Sequence, residues 1–175
     1  MPREYYGCSF RHEGADRYLI WYADEPDGVY IDRAGYAPTF PDDRLLVEYA
    51  RVHGLAPISI QKPVLHDLDS AERFAGESTA IQFDCPEILK AWNLFGDFAH
   101  SLDTSLGASF REFDETLNPV YDKVFRSCNL PAMTPKSEEY HPVWSAGEID
   151  RIQKLLKVGF ALFRSAVRPF SPGEE

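Results

Sequence analysis

The amino-acid sequence predicts an α+β fold, in which an N-terminal antiparallel β-meander of three to five strands packs against C-terminal helices. Two patterns indicate this fold class: strand-like apolar segments occupy much of the first third of the chain, and apolar residues recur at helical spacing along the second half. The 175 residues, 44% of them hydrophobic, can form a core that needs no disulfide or metal. We expect a single domain over residues 1–170 and a short flexible tail over residues 171–175.

Three consecutive segments have the pattern of strands. Apolar and polar residues alternate along residues 4–12. Residues 17–23 are apolar at both odd and even positions, which is typical of a central strand covered on two faces. A Pro- and Gly-containing turn separates them from a third strand at residues 29–32. The short connections predict an antiparallel meander, because consecutive strands joined by tight turns pair with each other. Further short strands are predicted over residues 57–60 and 79–83.

Two long helices carry the clearest helical signals. Residues 84–102 begin at Asp84, a capping residue, and carry one apolar stripe. Residues 145–168 open with Ser145 and Glu148 at the spacing of a capping box and carry a wide apolar face. We expect these two helices to pack on each other or on the sheet. Shorter helices are predicted over residues 41–53, 67–75 and 112–125, the last interrupted near Pro119.

Charge balance and hydropathy each exclude one class of partner. The chain has 18 Lys and Arg against 28 Asp and Glu, a formal net charge of -10. A nucleic-acid partner is not expected, because binding phosphates requires a cationic surface. A membrane partner is not expected either, because no apolar run in the sequence approaches the roughly 18 residues of a membrane-spanning helix.

The cysteines and the absence of known motifs narrow the chemistry. Cys8, Cys85 and Cys128 are odd in number and do not have the spacing of a zinc site, so we expect reduced thiols and a cytoplasmic location. Nucleotide-binding, nucleophile-elbow and zinc-protease motifs are absent from the sequence. The sequence therefore predicts no cofactor, no metal and no identifiable catalytic residue.

Acidic and aromatic residues are concentrated in the predicted meander. Residues 13–32 hold six carboxylates and one arginine. Carboxylates accelerate encounter with a basic partner, and aromatic side chains supply anchors that become buried on binding. Residues 126–144, which hold three prolines and no helical period, form a second candidate for partner contact. An acidic sheet without any partner would carry the same pattern. The candidate partner-binding residues are Trp21, Tyr22, Asp24, Glu25, Asp27, Tyr30, Glu138 and Glu139.

In size, acidity and expected location, the chain is similar to the immunity proteins that neutralise bacterial toxins. The resemblance is one of composition and is carried by no motif. It implies a non-enzymatic inhibitor of the immunity or antitoxin type, which occludes a basic partner protein such as a toxin.

A small intracellular hydrolase is the alternative hypothesis. Asp97 and His100 lie one turn apart on the polar face of a predicted helix, and Glu139 is close to His141 along the chain. A carboxylate beside an imidazole can transfer protons during catalysis. A pocket that holds a carboxylate with a raised pKa would favour this hypothesis. A third hypothesis is a structural subunit whose apolar helix faces are covered in an oligomer.

Overall fold

The computed structural model describes residues 3–55, 57–59, 64–76, 83–135 and 138–173, which form seven strands and six helices and confirm the α+β fold. In chain order the elements are β1 (Glu4–His12), β2 (Ala15–Ala23), β3 (Gly28–Val29), β4 (Ala37–Thr39), α1 (Asp43–Val52), β5 (Ile58–Ser59), β6 (His66–Asp67), α2 (Leu68–Gly76), α3 (Cys85–Ser101), α4 (Ser105–Glu115), α5 (Asn118–Ser127), α6 (Ala146–Ala166) and β7 (Val167–Pro169).

The N-terminal strands form the predicted antiparallel meander, in the spatial order β3–β2–β1. The third strand is shorter than residues 29–32, because the Asp32 carboxylate accepts hydrogen bonds from the backbone N–H groups of Ala34 and Tyr36 and draws the chain into a turn. Strand β5 lies within the segment predicted as a short strand, residues 57–60. It and β6 extend the sheet by pairing with β1 in parallel, and this parallel pairing is not predicted by the sequence. Of the strand predicted over residues 79–83, only Phe83 is among the described residues, and it lies outside a strand.

The central strand β2 is covered on both faces, as its apolar residues of both parities predict. Leu19 belongs to the larger core, between the sheet and helices α2 to α6, and Trp21 packs against that core. Ile20 faces the opposite way, into a smaller core under α1 that also contains Phe40 and Tyr49. The sheet therefore separates two apolar clusters, and neighbouring β2 side chains belong to different ones.

The two long helices have the predicted caps. Asp84 accepts a hydrogen bond from the backbone N–H of Glu87 at the start of α3, and Ser145 and Glu148 form the capping box of α6. Helix α6 ends at Ala166, before the predicted residue 168, because Pro169 disfavours helical geometry in the residue that precedes it. The chain continues as β7, which pairs in parallel with β4.

The two shorter helices after α3 are α4 and α5. Helix α4 begins at Ser105, well before the predicted residue 112, because the Thr104 side chain caps it by accepting from the backbone N–H of Gly107. Helix α5 begins at Asn118, next to the predicted interruption at Pro119.

Helices α3 and α6 cross closely at Gly159. A Cβ atom at this position would overlap the Phe95 ring of α3, which also packs against Phe160 and Phe163 at ring-centroid distances of 4.9 and 6.2 Å. The glycine therefore sets how closely the two helices approach, and the confirmed packing of α6 on α3 depends on it.

We predict that Gly159→Ala lowers the free energy of unfolding by about 1–3 kcal/mol, because overpacking against Phe95 outweighs the better helix propensity of alanine. Gly96→Ala in α3 is the matched control, because a Cβ there meets no atom within 4 Å. The control should leave stability unchanged or raise it by up to about 1 kcal/mol. Urea denaturation measures both, and equal effects would contradict this account.

Candidate interaction site

The predicted acidic turn, residues 24–27, lies exposed between β2 and β3. Asp27 Oδ1 accepts a hydrogen bond from the backbone N–H of Asp24 at 3.0 Å, and Asp24 Oδ1 accepts one from the backbone N–H of Glu25 at 2.9 Å. Arg3 Nε donates to Asp24 Oδ2 at 3.0 Å. The backbone N–H of Glu25, followed by Arg3, holds the pKa of Asp24 below its ordinary value. Asp24 and Asp27 thus shape the turn, whereas the exposed Glu25 side chain adds charge.

Of the three predicted aromatic residues, Trp21 and Tyr30 pack on opposite faces of the sheet, and Tyr22 reaches helix α3. Trp21 packs on the larger core, and Tyr30 packs on the smaller core, 6.2 Å from the ring centroid of Tyr49. The Tyr22 hydroxyl lies 3.4 Å from Ser101 Oγ, in a position that requires Gly28 to lack a side chain. All three side chains are half-buried in internal contacts, and the structure does not bring them together in one surface.

Asp97 is a carboxylate enclosed between α3 and the sheet. Its Oδ2 accepts a hydrogen bond from the Trp21 indole N–H at 2.9 Å. Burial raises the pKa of Asp97 to about 6; the Trp21 hydrogen bond opposes this shift, and the negative charge of Asp27 adds to it. The sequence identifies Asp97 as a candidate but does not predict that its carboxylate is enclosed.

The residue pairs of the hydrolase hypothesis do not form an enclosed site. His100 is exposed, whereas Asp97 points toward Trp21. His141 Nε2 lies 3.4 Å from Glu139 Oε2, and these two side chains are 76% and 48% exposed. Neither pair lines either of the two clefts described below.

The three cysteines are free thiols. Burial raises the pKa of Cys8 to about 12 and that of Cys128 to about 11, and it also raises the pKa of Cys85. The thiolate is the nucleophilic form of cysteine, so these thiols have the protonation state of structural residues at neutral pH.

The connection between α5 and α6, described at residues 128–135 and 138–144, is held by specific contacts at both sides. The Asn129 side chain accepts from the backbone N–H of Tyr140 at 2.7 Å and donates to its carbonyl oxygen at 3.1 Å. Lys123 Nζ donates to the Val143 carbonyl oxygen at 2.8 Å and to the Glu148 carboxylate at 2.7 Å. The backbone positions of Tyr140 and Val143 are therefore fixed relative to the two helices.

A cleft of about 240 Å³, here called the loop cleft, lies between the end of α5 and this connection. Leu130 and Met133, which line it, are 39% and 67% exposed, and Val143 further along the connection is 90% exposed. Contiguous exposed apolar side chains mark interaction sites, and Leu130 and Met133 line the same cleft. The predicted residues Glu138 and Glu139 are exposed here, and Glu138 lines the cleft. The lining residues are Phe125, Arg126, Leu130, Met133, Thr134, Glu138 and Tyr140.

Sequence reasoning did not single out Leu130, Met133, Val143 or the clamping residue Asn129. Their segment has no helical or strand period, and only its prolines and its length mark it in the sequence. The hydrogen bonds that hold Tyr140 and Val143 come from Asn129 and from Lys123 of α5, which are distant from them along the chain.

Among the described residues, no group of three or more His, Cys, Asp or Glu side chains is placed to hold a metal ion. None of the helices in the described ranges is long and apolar enough to cross a membrane. Comparisons of the chain with protein-family models, with curated proteins and with solved structures found no match.

We predict that Asp97→Asn stabilises the protein at neutral pH. The folded-state pKa of about 6 exceeds the ordinary value of 3.8, so the folded state binds the proton more tightly and loses stability as the pH rises from about 4 to 6. The variant should gain about 1–2 kcal/mol at pH 7.5, and the gain should disappear below pH 4. Thermal unfolding across this range measures it. Lower stability of the variant at pH 7.5 would show that the charged Trp21–Asp97 hydrogen bond outweighs the cost of burial.

We predict that Asn129 fixes the connection through its side-chain amide. Asn129→Ala and Asn129→Gly both remove the two hydrogen bonds, but only glycine accommodates the backbone φ of 45° without strain. Hydrogen exchange of the Tyr140 amide should accelerate at least about five-fold in both variants. Unchanged exchange in the glycine variant would mean that backbone conformation alone fixes the connection.

Proposed function

We propose that the protein is a non-enzymatic binding protein of the immunity or antitoxin type, which occludes a basic partner protein in the bacterial cytoplasm. The observation that carries the proposal is the exposed apolar surface of the α5–α6 connection, where Leu130 and Met133 line a cleft beside two glutamates. Three free cysteines are consistent with a reducing compartment.

Charge and apolar area have different roles in this proposal. The net charge of -10 attracts a basic partner over distance and raises the rate of association. The apolar side chains of the connection then lose their contact with water, which supplies most of the favourable free energy of binding. Met133 adapts its shape readily because methionine is unbranched and flexible.

The contacts that hold the backbone at Tyr140 and Val143 lower the entropic cost of binding. The Asn129 contacts with Tyr140 and the Lys123 contact with Val143 hold the segment before a partner arrives. A surface that is already ordered loses less conformational freedom when it binds. Trp21, Tyr22 and Tyr30, which the sequence suggests as anchors, make internal contacts. In this proposal the anchors are therefore Leu130 and Met133.

Affinity capture from a lysate of the organism that encodes the protein tests the proposal. The expected result is one stoichiometric basic protein, retained at low salt and weakened at about 0.5 M salt, where charge interactions extend only a few ångströms. The double variant Leu130→Ser/Met133→Ser should lose this protein. The matched variant Val47→Ser/Val64→Ser, which changes two exposed apolar residues elsewhere, should retain it. Capture of no basic protein, or of one that both variants retain equally, would contradict the proposal.

Charge reversal tests the role of the glutamates. Glu138→Lys/Glu139→Lys should slow association with the captured protein at least about ten-fold at low salt. Glu112→Lys/Glu115→Lys in α4 changes the net charge equally and should have a smaller effect. Glu25→Lys examines the acidic turn, because this side chain adds charge without shaping the backbone as Asp24 and Asp27 do. Equal rates for the two double variants would assign the effect to net charge alone.

A further inference from the structure

A second cleft, here called the α1 cleft, lies between helix α1 and residues 170–173 and has a volume of about 290 Å³. This volume lies just below the range of about 300–1,000 Å³ that is typical of small-molecule sites. Most of its lining is aliphatic or aromatic, with one carboxylate and one imidazole. The lining residues are Leu45, Glu48, Tyr49, Val52, His53, Phe170, Pro172 and Gly173.

Three rings form the aromatic part of the α1 cleft. Tyr49 is buried, and the His53 ring stacks on it at a centroid distance of 3.7 Å and an interplanar angle of 16°. Phe170 packs edge-on against Tyr49 at 5.0 Å. His53 and Phe170 are half-buried, and both line the cleft.

The position of Phe170 is fixed by the preceding strand. Its backbone N–H donates to the Thr39 carbonyl oxygen at 2.9 Å, which continues the pairing of β7 with β4. Its ring also packs on Phe40 at 5.5 Å in the smaller core. The aromatic wall is therefore built in the folded chain before any ligand arrives.

Glu48 supplies the charge of the α1 cleft. It is exposed and forms no ion pair with any residue that the structure describes. On a helical wheel the cleft residues of α1 lie about 40–100° to one side of Glu48, and the capping His53 lies slightly further round on that side. Arg44 and Arg51 lie about 40–60° to the other side. The cleft side of Glu48 thus combines a negative charge with aromatic rings.

We propose that the α1 cleft binds a small organic cation with apolar substituents, of the alkylammonium class. Ring faces attract such cations through their negative quadrupole, and the carboxylate adds direct attraction. The aliphatic lining from Leu45, Val52 and Pro172 accommodates the apolar substituents. The site involves other residues than the α5–α6 connection, so the inference stands independently of the proposed function.

The experiment is an NMR titration of the whole protein with choline, followed at the backbone amides of Val52, Phe170 and Gly173. Saturating shifts at millimolar choline are expected. The neutral carbon isostere of choline, in which a tert-butyl group replaces the trimethylammonium group, should bind at least about five-fold more weakly. Equal binding of the isostere, or the lack of saturating shifts, would overturn the proposal.

Two variants separate the contributions to binding. Glu48→Gln keeps the size of the side chain and should weaken choline binding about five-fold, whereas Glu112→Gln, an exposed control in α4, should not change it. Phe170→Leu keeps an apolar residue and should weaken binding by removing a ring. Because Phe170 also belongs to the smaller core, the exposed Glu48 provides the test that does not depend on stability. Unchanged binding in Glu48→Gln would overturn the assignment.

Discussion

The close crossing of α6 over α3 is the contact on which the rest of the structure depends. Gly159 lets the Phe95 ring approach the backbone of α6, and Phe163 then reaches Phe10 of β1 at 5.4 Å and Phe98 of α3 at 5.4 Å. A single helix thereby contacts both the sheet and the neighbouring helices of the larger core. Since close-packed interiors transmit small displacements, a change at this crossing would move both ends of α6.

Each end of α6 supports one of the two clefts. At its N-terminus, Glu148 completes the capping box and binds Lys123, which also holds the Val143 carbonyl oxygen of the α5–α6 connection. Lys123 is the first cause that keeps the pKa of Glu148 below its ordinary value. At its C-terminus, α6 passes directly into β7, whose pairing with β4 brings Phe170 to α1. The loop cleft and the α1 cleft are thus positioned by opposite ends of the same helix.

The sequence predicts those features that depend on local patterns. The strand β1, the two apolar faces of β2 and the capping residues of α3 and α6 are each visible within a few neighbouring residues, and the structure confirms them. The pairing of β4 with β7 cannot be predicted from local patterns, because it joins two three-residue strands from distant parts of the chain.

The same physical limit applies to the candidate sites. Glu138 and Glu139 were identified by their charge, but the apolar side chains beside them carry no period, and the clamp by Asn129 depends on a hydrogen-bond partner eleven residues away. Trp21 and Tyr30 could be identified as aromatic, but which core each one joins is set by strand register and sheet curvature. Composition therefore suggests a basic partner, whereas the surface proposed for that partner could be identified only from the fold.

The most direct test of the account is site-specific photocrosslinking from the position of Met133 in cells of the organism that encodes the protein. A photoreactive side chain at the exposed position of Met133 should form one major adduct with a basic protein, and the same side chain at the exposed position of Val64 should not. The adduct should decrease when the purified components are mixed at about 0.5 M salt. Equal adducts from both positions, or none with a basic protein, would contradict the central claim that the loop cleft is the partner-binding surface.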